Sequence, residues 1–169
     1  LRILACEYDS TTGTAPQSGI DLEPNAGSAI SGVKDVVISR CSLRDNAGFG
    51  VTMTQDTRDV VISGNTFTNC DRGGVNIGTA TNVNVTANIF TGFDDADDAV
   101  AFLSTGAKRV NVSANNFYDC DTGTAAIDTG GTTENAVIVN NTFKNIGIVS
   151  LQGAISVDCP GALIAGNHI

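Results

Sequence analysis

The chain of 169 residues has no Trp, two Tyr, one His, one Met and three Pro. With one His, no Ser/His/Asp or Cys/His set is readable, and no zinc-ligand spacing occurs. Basic residues are also scarce: 9 Lys and Arg stand against 18 Asp and Glu, a formal net charge of -9. Nucleic acids and anionic membranes need a basic footprint, so both are excluded as partners. No apolar run reaches the length of a membrane span, and neither a signal peptide nor an initiator Met is present. What remains is rich in Val, Ile, Thr, Asn and Gly, the chemistry of strands and turns rather than helices.

The same eight-residue unit recurs along the chain. Val60-Val-Ile-Ser-Gly-Asn-Thr-Phe67 returns as Val83-Asn-Val-Thr-Ala-Asn-Ile-Phe90, Val110-Asn-Val-Ser-Ala-Asn-Asn-Phe117 and Ala136-Val-Ile-Val-Asn-Asn-Thr-Phe143. Leu1–Tyr8, Val36–Leu43 and Ala162–Ile169 keep the pattern more loosely. From Leu43 onward the last residues of the units are 24, 23, 27, 26 and 26 apart. A period in the twenties signals a solenoid. Each unit alternates apolar and polar, then turns at a small residue and an Asn. A second strand follows, as in Gly19-Ile-Asp-Leu22, Gly50-Val-Thr-Met53 and Gly74-Val-Asn-Ile77. Two or three short strands per winding and no helix define an all-β parallel β-helix of about six coils. Like residues then stack at about 4.8 Å, with Phe67, Phe90, Phe117 and Phe143 in one file and Asn65, Asn88, Asn115, Asn141 and Asn167 in another. The Asn file is expected to form a hydrogen-bonded ladder, and Asn is also expected there because it tolerates the left-handed conformation at a sharp turn. Residues 1–169 read as a single domain. Core positions at both ends suggest a fragment of a longer protein without caps.

These features resemble the right-handed parallel β-helix family, pectate-lyase-like, with its Asn ladder and aromatic stack. That family includes polysaccharide lyases, polygalacturonase-like hydrolases, uronate epimerases and phage tailspike depolymerases. The resemblance implies a polysaccharide partner, an outer ribbed face as its binding surface, and an extracellular, cell-surface or virion location. It also admits a homotrimer or flanking domains, and a non-catalytic stalk is the alternative.

Five Cys follow the same repeat. Cys6 and Cys41 fall in the Asn file, close enough to bridge or to stack as thiols. Cys70 and Cys120 lie two coils apart, about 9–10 Å, beyond disulfide reach.

Candidate chemistry lies in acidic residues that point outward. Asp21 and Glu23 flank inward Leu22 and stand about 6.5–7 Å apart, near the spacing of an acid/base pair on a glycosidic bond. Asp128 and Asp158 read as neighbours in one file with Glu23, Thr54, Gly78 and Leu103. Two adjacent carboxylates push one pKa up. Both sets also fit solvated edges or turn caps. Thr52, Asn76 and Arg2 point outward and are candidate sugar contacts. Asp71, Asp94 and Asp121 share a turn file, with Asp45 and Asp119 two positions earlier. Stacked like charges call for a hard cation, and Ca²⁺ fits oxygen ligands; the resemblance also implies Ca²⁺, which pectate-type lyases use. No Arg or Lys sits beside an acidic cluster at mid-strand, a departure from the pectate-lyase pattern. Finally, Val37, Val61, Val137 and Leu163 make an outward apolar stripe that suits a neighbouring subunit or a flanking segment.

Overall fold

A computed structural model describes residues 1–14, 17–24, 32–54, 56–93, 100–122, 125–148 and 153–169. Among these residues there are nineteen strands and no helix. The first winding carries β1 (Arg2–Leu4), β2 (Glu7–Asp9) and β3 (Ile20–Leu22), and the second β4 (Lys34–Ser39), β5 (Ser42–Arg44) and β6 (Phe49–Met53). The third and fourth carry β7 (Arg58–Ser63), β8 (Thr66–Thr68), β9 (Gly73–Ile77), β10 (Thr81–Thr86), β11 (Ile89–Thr91) and β12 (Val100–Ser104). The fifth and sixth carry β13 (Lys108–Ser113), β14 (Asn116–Thr122), β15 (Ile127–Thr129), β16 (Glu134–Val139), β17 (Thr142–Ile148) and β18 (Ile155–Val157). β19 (Leu163–Ala165) starts a seventh. Every third strand pairs in parallel, giving sheet A of seven strands from β1 to β19, sheet B of six from β2 to β17, and sheet C of six from β3 to β18. Among the described residues the strands form a parallel β-helix with three faces and six sets of three strands before β19.

The register stacks like on like. Val60, Val83 and Val110 are partners, as are Ile62, Val85 and Val112. Phe67, Phe90, Phe117 and Phe143 form one file, with ring centroids 4.8, 4.6 and 5.0 Å apart and planes within 10°. All four rings are buried. The third strand of each winding is the anchor's own: Thr66–Thr68 places one inward Phe between two outward Thr.

The Asn file is a complete hydrogen-bond ladder. Asn88 Nδ2 donates to Ile62 O in the winding before (2.9 Å) and to Asn115 Oδ1 in the winding after (3.0 Å). Its own Oδ1 accepts from the backbone N and Nδ2 of Asn65. Asn65, Asn115 and Asn141 repeat this scheme. At the N-terminal end the Cys41 N–H donates to Asn65 Oδ1. One expectation needs correction: the ladder Asn residues are not the left-handed ones. The residue before each takes that conformation, in a file of Ala5, Arg40, Gly64, Ala87, Ala114, Asn140 and Gly166 with φ of 53 to 64°. The ladder Asn is selected by its amide while the left-handed turn falls on the preceding residue, so two demands fall on two positions. Two further corners repeat the device: Asp35, Asp59, Asn82, Arg109 and Asn135 at one, and Ser10, Asp45, Asn69, Gly92, Asp119 and Asn145 at the other.

All five Cys are free thiols, so Cys6 and Cys41 stack rather than bridge. Burial pushes the Cys120 thiol up to about 12, and Cys70 rises for the same reason.

Core density also fixes one glycine. A Cβ on Gly50 would come within 2.5 Å of Phe67 Cδ1 and 2.8 Å of Gly74 O. Gly50→Ala is expected to destabilise the fold by about 1–3 kcal/mol through overpacking, measured by urea denaturation.

Candidate functional site

Sheet C carries the carboxylates singled out from the sequence. Its outward file includes Asp21, Thr52, Asn76, Asp128 and Ser156, with the backbone of Leu103 in register between Asn76 and Asp128. This corrects the expected file. The apolar pattern sets Phe102 and Ile127 beneath Ile77, but they pair beneath Val75, and Ser104 and Thr129 take the places beneath Ile77. Both are wholly buried polar residues. They occupy inward positions because their hydroxyls find partners: Ser104 Oγ bonds Thr133 Oγ1 at 3.1 Å, and Thr129 Oγ1 donates to Cys159 Sγ at 3.9 Å. Asp128 accordingly pairs with Ser156, not Asp158, and shares a file with Asp21 rather than Glu23.

Asp128 and Asp158 nonetheless interact. Asp128 is half-buried, and burial holds its carboxyl above the usual carboxylate range. The Ser156 hydroxyl bonds the ionised form and opposes this, while the charge of exposed Asp158 adds to it. Asp158 is fixed by its N–H, which donates to Thr129 O at 2.8 Å. Asp21 is also raised, first by burial and then by the charge of Glu23. The two pairs lie four strand spacings apart in sheet C, about 19 Å at the usual interval. They cannot act on one bond.

A carboxyl with a raised folded-state pKa holds its proton more tightly folded than unfolded. Its contribution to stability is therefore lost as pH rises from the unfolded value through the folded one. Asp128→Asn is expected to raise the melting temperature at pH 7. The gain should vanish below about pH 3.9, where the wild-type carboxyl is protonated in both states.

The other candidates are scattered. Thr52 is only 5% exposed, and its Oγ1 accepts from Asn76 Nδ2 at 3.0 Å. Asn76 is half-buried beside it. Arg2 is exposed on sheet A, a different face. Asp71 and Asp121 are exposed two windings apart, and Asp94, which the file needs between them, lies outside the described residues. Among the described residues no three His, Cys, Asp or Glu come together to hold a metal. Asp45 and Asp119 have another partner. Asp45 Oδ1 accepts from Asn69 Nδ2 and Asp119 Oδ1 from Asn145 Nδ2, each at 2.9 Å. Asp59 does the same with Asn82 at 2.8 Å. An amide one winding on thus offsets the corner carboxylates, where the sequence had suggested a cation.

Two surface recesses escaped the sequence reading. One, of about 550 Å³ on sheet A, is lined by Asn84, Asn111, Arg109 and Val137 among others. The apolar stripe runs through the same face: Val37, Val61 and Val137 are half-buried, and Leu163 is 53% exposed. The other recess, of about 300 Å³, lies on sheet B around Tyr118 and Lys144. Its signal in the sequence is a Tyr at the outward position that Thr holds in the two preceding windings.

A stacked parallel solenoid with an amide ladder and an aromatic file defines the β-helix class. The family model described as the right handed beta helix region matches residues 24–169, and the chain belongs to that family. No curated protein and no solved structure matches it. Among the described residues no helix is long and apolar enough to cross a membrane.

Proposed function

We propose that the chain binds and cleaves an extracellular carbohydrate polymer, with the bond broken on the outer face of sheet C. The observation that carries this is the Asp128–Asp158 pair. One half-buried carboxyl has a raised pKa, and a second, exposed carboxylate stands beside it. A glycosidic bond is broken by such a division of labour: the protonated group donates to the leaving oxygen while the ionised one serves as base or nucleophile. Asp21 and Glu23, both exposed and with the pKa of Asp21 raised, form a second carboxylate pair at the other end of the sheet. The polymer would lie along the solenoid axis, across the ribs.

The test is incubation with neutral and acidic polysaccharides, following reducing ends and the absorbance of unsaturated uronates. Asp128→Asn is expected to lower the rate by about a hundredfold or more. Full activity in Asp128→Asn would remove this site.

A second reading is a non-catalytic structural or adhesive β-helix. It is favoured by the Asp45–Asn69, Asp59–Asn82 and Asp119–Asn145 bonds, which tie successive windings along the outer corners. Inactivity on every polymer, unchanged by Ca²⁺, would select it.

A further inference from the structure

The recess on sheet B lies between two ribs. Asn116, Tyr118 and Asp119 on β14 face Thr142, Lys144 and Asn145 on β17, with Asn116 opposite Thr142 and Tyr118 opposite Lys144. Phe117 points into the core, so its neighbours Asn116 and Tyr118 point out, roughly 7 Å apart along the strand. The outward file through Tyr118 reads Arg44, Thr68, Thr91, Tyr118 and Lys144. An aromatic ring and an ammonium thus replace a run of threonines where the surface is hollowed.

The chemistry of the lining selects an occupant. Tyr118 is half-buried and offers an apolar ring with a polar tip. Asp119 commits one oxygen to Asn145 and keeps its remaining acceptor sites for hydroxyl donors. The Asn116 amide both donates and accepts. Lys144 is in no ion pair among the described residues and presents three donors. One cation and one anion leave the recess without net charge, within a chain of charge -9. That field repels a polyanion. The occupant must be uncharged, have an apolar face for the ring, and carry hydroxyls around its edge. At about 300 Å³ the recess is at the small end of ligand sites. The geometry points to a carbohydrate subsite on sheet B that seats one neutral hexopyranose residue, separate from the carboxylate pair on sheet C. Tyr118 stacks on the ring, Asp119 and Asn116 bond vicinal hydroxyls, and Lys144 donates to a ring or hydroxyl oxygen. This site stands whether or not the chain cleaves anything.

Isothermal titration calorimetry on the whole chain tests it, with α-linked and β-linked neutral hexose hexamers and a hexuronate hexamer as probes. Saturable binding of a neutral hexamer is expected, weakened at least tenfold in Tyr118→Thr and in Lys144→Ala. Tyr118→Thr supplies the residue that Thr68 and Thr91 already place in that file, so its thermal melt should match wild type. The losses in Tyr118→Thr and Lys144→Ala should be the same when each is combined with Asp128→Asn, which separates this subsite from the cleavage reading. Tighter binding of the hexuronate, unchanged affinity in Tyr118→Thr, or no heat with any neutral hexamer would each overturn the proposal.

Discussion

Phe117→Ala is expected to lose about 3–5 kcal/mol of stability. Phe117 is fully buried and has a ring on each side, Phe90 at 4.6 Å and Phe143 at 5.0 Å. Truncation removes the transfer free energy of one ring and both of its stacking contacts. The neighbours cannot close the gap, because strand spacing in sheet B holds Phe90 and Phe143 two windings apart. Phe117→Leu is the control. Leu43 fills the same file without a ring, so this variant should lose much less, about 1–2 kcal/mol. Urea denaturation of both would measure the difference. Equal losses would mean that the file is held by volume alone.

Asn115→Ala should cost about 3 kcal/mol for a different reason. The lost amide bonds four buried groups: Val85 O, Asn141 Oδ1, and the backbone N and Nδ2 of Asn88. Each unmade buried hydrogen bond carries a penalty of about 1–3 kcal/mol, partly relieved by relaxation and by water. Asn115→Asp separates shape from chemistry. It keeps the outline but replaces two donors with acceptors and buries a charge. Its carboxyl would be driven above the ordinary range, so stability should fall as pH rises from 4 to 7. Thermal melts at the two pH values would show this, and a pH-independent melt would count against the ladder.

The Phe and Asn files were legible in the sequence because one residue type returns at one spacing and each type has a single job. Sheet C was less legible. At Ser104 and Thr129 the inward place goes to a hydroxyl satisfied by a residue of another segment, Thr133 or Cys159. No local alternation reveals such a partner, and the register slips by two. The slip misplaced Asp128 in its file without removing its interaction with Asp158. The strand around each Phe was hidden by its brevity, since one inward residue between two outward ones shows no period. The acidic corners invited a cation because the sequence does not show that an Asn amide stands opposite Asp45, Asp59 and Asp119 one winding later. The Tyr118 recess needs two strands laid side by side before it exists at all.

The repetition that stabilises the finished solenoid also offers it wrong answers while it forms. A rib that docks one turn out of place still sets ring against ring and amide against amide. Discrimination then falls to the unequal segments between ribs, since steps of 23 and 27 residues do not interchange. Refolding should accordingly include a slow phase in which frameshifted stacks come apart, and equalising those segments would lengthen it.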